Sequence, residues 1–88
     1  MNTRILKTGN GVLHGVSNDT PQKGKTLTMH DGEVVLAILK LDEAFPDFKE
    51  TVEDGTETYW RPGMIFDVAF QSEFRVETEG KDLTFYVF

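Results

Sequence analysis

The chain has 88 residues, including seven Phe, two Tyr and one Trp, no cysteine, and a formal net charge of −6. That length builds one domain over residues 1–88, with a core small enough that each large side chain counts. The lack of cysteine excludes disulfide staples and thiolate metal sites and suits a reducing cytoplasm. Met1–Lys7 lacks the apolar centre of a signal peptide, and no apolar run approaches membrane-spanning length, so a cytoplasmic protein that does not enter membranes is expected.

Charge divides along the chain. Arg4, Lys7, Lys23 and Lys25 against Asp19 give residues 1–30 a balance of +3. Residues 31–57 carry nine carboxylates against Lys40 and Lys49, a balance of −7, and the remainder adds −2. Such asymmetry gives a basic region and an acidic one, or simply a solvated acidic face that keeps the protein soluble.

Strand-like runs alternate with turn signals. Gly9-Asn10-Gly11 separates a run at Thr3–Thr8 from one at Gly11–Val16, and Asp31-Gly32 separates Thr26–His30 from Glu33–Leu41. Both signals predict hairpins, because Asx and Gly tolerate positive φ. Between them lies the longest polar segment, Ser17–Lys25, which holds the close basic pair Lys23 and Lys25 around Gly24. Val34–Leu39 is continuously apolar and predicts a strand covered on both faces. Leu41–Glu50 predicts a loop with one helical turn ended by Pro46.

Asp54-Gly55 marks a further reversal, after which Tyr59-Trp60-Arg61-Pro62-Gly63-Met64 places two aromatics and an arginine before a Pro-Gly pair. Arg61-Pro62-Gly63-Met64 predicts a type II turn, with Gly63 at positive φ and a strand opening at Met64. Phe74 and Val76 alternate with Arg75 and Glu77, Glu79–Asp82 reverses the chain, and Leu83–Phe88 ends in a paired strand. Many short strands at this spacing predict an all-β sandwich or small barrel, with Phe66, Phe70 and Phe85 in its core.

Catalytic signals are lacking, and no enzyme activity, cofactor or metal site is expected. His14 and His30 fit no metal-binding or general-base spacing and read as strand-face histidines. Asp42, Glu43 and Asp47 lack the spacing and bidentate Glu of a calcium loop. Nothing in the sequence brings Asp42 and Asp67 together as a catalytic pair, and no nucleophile motif occurs.

Single-strand nucleic-acid binding needs cations along a backbone path and rings on which bases stack. The candidate cations are Arg4, Lys7, Lys23, Lys25, Arg61 and Arg75; the candidate rings are Tyr59, Trp60, Phe74 and Tyr86. Sequence neighbours in a strand point to opposite faces, so Trp60-Arg61 and Phe74-Arg75 do not each form one patch.

Gly15-Val16-Ser17, Lys23-Gly24-Lys25 leading into Thr26-Leu27-Thr28-Met29, and Tyr59 through Val68 occur in an order and at separations that resemble the single-stranded-DNA-binding (helix-destabilising) proteins of filamentous bacteriophages. The resemblance spans Gly15 to Val68. It implies an OB-like, five-stranded, partly open barrel that forms homodimers and coats phage single-stranded DNA during replication in the host cytoplasm. Lys25 then faces DNA, and the Phe74–Leu83 hairpin projects or pairs. Leu27 stands where the family carries a stacking aromatic, and the tip Glu77–Asp82 is acidic.

The leading expectation is therefore a single-strand binder that uses Arg4, Lys7, Lys23, Lys25, Arg61 and Arg75 on phosphates and Tyr59 or Trp60 for stacking. The alternative is an acidic, phage-encoded inhibitor that occupies a basic host protein through Asp42, Glu43, Asp47, Glu50 and Glu53. A third is a β-module whose Val34–Leu39 strand pairs across a subunit boundary.

Overall fold

A computed structural model of the chain describes residues 2–51, 55 and 58–88. The protein is all-β. Nine strands occur among the described residues: β1 (Asn2–Thr8), β2 (Gly11–Asn18), β3 (Thr26–Asp31), β4 (Val34–Lys40), β5 (Phe48–Thr51), β6 (Thr58–Arg61), β7 (Met64–Phe70), β8 (Glu73–Thr78) and β9 (Leu83–Val87). They form a four-stranded sheet in the order β1-β8-β3-β4, a three-stranded sheet in the order β7-β2-β9, and a two-stranded β5-β6 arm. Every ladder is antiparallel.

The core lies between the two larger sheets. Leu13 and Val16 from β2, Leu27 and Met29 from β3, Phe70 from β7, and Phe74 and Val76 from β8 are buried together with Leu41. Alternation places them inward: Leu27 and Met29 flank Thr28, while Phe74 and Val76 flank Arg75. Phe70 and Phe74 stack at 5.5 Å, and Phe85 meets Phe74 edge-on at 6.1 Å. Phe66 and Phe85 pack on this cluster from its margin, so all three phenylalanines expected inside contribute there.

Several turn signals lead somewhere other than a hairpin. Asp31-Gly32 does join a paired hairpin, β3–β4, with Gly32 at φ 60°. Gly9-Asn10-Gly11 does not: β1 pairs with β8, whereas β2 pairs with β7 and β9. That turn is a corner between sheets, and Gly9, which opens it, donates its N–H to Ser72 O at 2.8 Å. Glu79–Asp82 is a second such corner, since β8 and β9 also belong to different sheets. These corners raise the strand count above the five expected. Among the described residues no ladder joins β1 to β9 or β4 to β7.

The Pro62-Gly63 turn is also a corner. β6 pairs with β5 and β7 with β2, and Gly63 is not among the positive-φ residues, so in place of a type II turn the chain bends at Gly63 from the arm into β7. Glycine is required there for space. A Cβ on Gly63 would lie 2.3 Å from Phe45 O and 2.5 Å from Pro46 O.

Two further expectations change. β4 is an edge strand with β3 on one side only, and it is not covered on both faces, since Val34, Val35 and Ile38 are exposed. The 41–47 segment contains no helical turn. Phe45 instead bridges Asn18 through paired backbone hydrogen bonds of 2.8 and 3.1 Å, which uses its polar groups without a helix. The last strand is paired as expected: Phe88 and Val12 exchange backbone bonds of 2.9 and 2.8 Å. No helix among the described residues is long and apolar enough to cross a membrane.

Candidate functional site

The expected nucleic-acid residues fall in four places. Arg4 and Lys7 lie on the edge strand β1, and Arg4 lines the open seam between β1 and β9 beside Leu83 and Phe85. Lys23 and Lys25 lie in the β2–β3 loop. Tyr59, Trp60 and Arg61 lie on the β5-β6 arm, and Arg75 lies on the outer face of the four-stranded sheet, opposite Ile5 and His30. Of the four candidate rings, Phe74 is wholly buried and is core rather than a stacking platform.

The basic loop is satisfied from within the chain. Gly24 N–H donates to Asp42 Oδ1 at 2.8 Å, and Lys25 Nζ sits 3.6 Å from Glu79 Oε2. The loop's shape comes from amide groups that the sequence did not single out. Buried Asn18 donates to Leu41 O and Glu43 O, and Gln22 donates to Asn18 Oδ1 at 2.9 Å and to Lys81 O at 2.7 Å. Lys81 N–H returns a bond to Gln22 Oε1 at 2.8 Å. Arg61 is likewise held by Glu50 at 2.8 Å, which raises its already high pKa.

The arm presents its rings on two faces. Phe48 opposes Arg61 and Glu50 opposes Tyr59 on one face; Lys49 opposes Trp60 and Thr51 opposes Thr58 on the other. Tyr59 and Trp60 therefore point away from each other. Trp60 is 65% exposed. It borders an open depression of about 550 Å³ shared with Pro46, Tyr86, Asp19 and Asp47.

Each wall of that depression has a local cause. Tyr86 stands opposite Gly15 on the outer face of the three-stranded sheet, since its neighbour Phe85 faces the core. Its hydroxyl donates to Asp47 Oδ2. Burial, then the bond to Asp47 and that carboxylate's charge, push the Tyr86 pKa up to about 12. Asp47 Oδ1 is buried without a hydrogen-bond partner among the described residues. An exposed indole beside two carboxylates is an environment that favours a cation.

The remaining acidic candidates do not line it. Asp42 and Glu43 are exposed on the same 41–47 segment, Glu50 is engaged with Arg61, and Glu53 lies outside the described residues, as does Asp54 of the expected Asp54-Gly55 reversal.

A separate pair was not foreseen from the sequence. His14 Nδ1 and Asp67 Oδ1 are 2.5 Å apart on the outer face of the three-stranded sheet, with the Phe88 ring 5.8 Å from the imidazole. Asp67 has φ 50°, a conformation Asp tolerates better than most residues. No nucleophile is hydrogen-bonded to this imidazole among the described residues. Asp42 and Asp67 are not paired: Asp42 caps the loop and Asp67 holds His14. Among the described residues no group of three or more His, Asp or Glu is placed to hold a metal ion.

Comparisons with protein-family models, with curated proteins and with solved structures returned no match to this chain.

Proposed function

We infer that the protein is a non-catalytic interaction protein that docks on a basic protein surface and anchors a lysine or arginine side chain against Trp60. The observation that carries this reading is the depression in which an exposed indole borders Asp19, Asp47 and Tyr86. A cation over an indole face gains about 0.5–2 kcal/mol, more as water is excluded. Adjacent carboxylates add charge-assisted hydrogen bonds. The formal charge of −6 steers such a partner from a distance at low salt.

A single-strand nucleic-acid reading is supported by one feature, the pairing of Lys49 opposite Trp60 on the same face of the arm. That places one cation and one ring together, as base stacking with a phosphate contact requires. The engagement of Gly24, Lys25 and Arg61 with carboxylates favours the first reading.

One titration separates them. Trp60 fluorescence is followed while an arginine- and lysine-rich peptide or oligo-dT is added, at low and at physiological salt. A saturable, salt-sensitive response to the peptide, reduced in Asp47→Asn, is the expected result, with peptide binding by calorimetry lost in Trp60→Ala, which carries no tryptophan to report it. A response to oligo-dT with none to the peptide would overturn it in favour of nucleic acid.

A further inference from the structure

β4 closes one side of the four-stranded sheet, and among the described residues no strand pairs with its outer edge. Exposed edges are normally blunted by proline, by charges along the strand or by shortness. Here Val34-Val35-Leu36-Ala37-Ile38-Leu39 runs for six apolar residues before Lys40. Val34, Val35 and Ile38 are 65%, 51% and 65% exposed.

The register of this edge has a distinctive phase. Val35 opposes His30 and Ile38 opposes Thr28, which places both on the sheet's outer face although they are three positions apart. The shift between Met29 and His30 leaves Leu36 as the extra residue of a bulge, and a bulge changes which side chains share a face. Glu33 precedes the strand and Lys40 ends it, and neither forms an ion pair with another described residue.

We propose that β4 pairs antiparallel with β4 of a second copy of this chain, joining the two four-stranded sheets into one across a two-fold axis. Residues opposite each other must share a face. The bulge makes one register satisfy that condition: Val35 opposes Ile38 of the second copy, Leu36 opposes Ala37, and Val34 opposes Leu39. Continuing outward, Glu33 then opposes Lys40, and the symmetry repeats each contact. Opposite charges at the two ends select the antiparallel arrangement, since a parallel one sets Glu33 beside Glu33. A strand from an unrelated protein needs that same order of charges; this chain supplies it itself. The surface lies apart from the Trp60 depression, so the dimer stands independently of the proposed docking function.

Charge reversal reads the contact directly. The expected result is a wild-type dimer by light scattering, at least a tenfold weaker one for Glu33→Lys or Lys40→Glu alone, and recovery in the doubly reversed chain. Because the chain has no cysteine, a Glu33→Cys, Lys40→Cys variant adds a geometric readout. Within one chain these positions lie about 23 Å apart at roughly 3.3 Å per residue, so a disulfide forms only between copies. Oxidation is expected to give a linked dimer that Glu33→Cys alone does not. A monomer at all concentrations, or a dimer that ignores the charge reversals and fails to cross-link, would overturn the proposal. Circular dichroism establishes that each variant is folded before it is scored.

Discussion

The Pro62 ring fills the space where a side chain on Gly15 would begin: a Cβ there would lie 2.3 Å from Pro62 Cγ and 2.5 Å from Met64 O. This contact seats the corner that carries the chain from the β5-β6 arm into β7. Gly15→Ala must displace a buried proline or the strand itself, an overpacking that costs about 1–3 kcal/mol. Urea unfolding followed by circular dichroism should show the midpoint falling with the slope unchanged.

Phe74 sits in the centre of the core, stacked on Phe70 and touched edge-on by Phe85. Phe74→Ala removes a ring that is 0% exposed, and such deletions cost about 3–5 kcal/mol. For a domain this small that is a large share of total stability, on the order of 5–15 kcal/mol for native proteins. The variant is expected to melt far below wild type in a thermal scan, whereas Trp60→Ala, at an exposed site, should shift stability by no more than about 0.5 kcal/mol.

Asp31 ties two turns together. It accepts backbone N–H bonds from Ser72 at 2.8 Å, Gln71 at 3.0 Å and Glu73 at 3.4 Å. The Ser72 bond first, then that from Gln71, hold its pKa below the ordinary aspartate value. A lowered folded pKa stabilises fully above the unfolded value, and that stability is lost as pH falls through the folded one. Wild type should therefore lose stability in acid more steeply than Asp31→Asn, with the difference confined to the window between those two pKa values. Parallel acid-unfolding curves for the two proteins would contradict the assignment.

Tyr86 gives the opposite sign. Its pKa, raised to about 12, means that folding retains the phenol proton. The associated stability is complete below the ordinary tyrosine pKa and declines as pH rises toward 12. Ultraviolet titration of the folded protein should contain a tyrosinate step near 12 that is missing in Tyr86→Phe. Asp47→Asn should move that step down only in part, because burial is the larger cause.

The all-β class was legible because periodicity is local: Leu27 and Met29, or Phe74 and Val76, announce an inward face within a few residues. Which strand lies beside which was not. Gly9-Asn10-Gly11 and Asp31-Gly32 look alike as turn signals, yet the first is a corner and the second a hairpin, a choice made by distant pairing with β8 and β9. Pro62-Gly63 misled for a related reason, because glycine serves a close approach as readily as a positive φ. At the candidate site, Trp60 stood out by its rarity, and its distance from the core fits a role at the surface. Asp19, Asp47 and Tyr86 were scattered in sequence, and only the fold gathers them. The amides of Asn18 and Gln22 carried no periodic or motif signal at all.

The pairing of β1 with β8 and of β2 with β9 has a consequence for synthesis. The first 18 residues can complete neither sheet until the segment from 73 to 88 is available. On the ribosome, the β3–β4 hairpin is local enough to form early, while the amino-terminal strands wait with their apolar faces exposed. Emergence of the segment from 73 to 88, rather than of the first strands, is then the event that commits this protein to its native state.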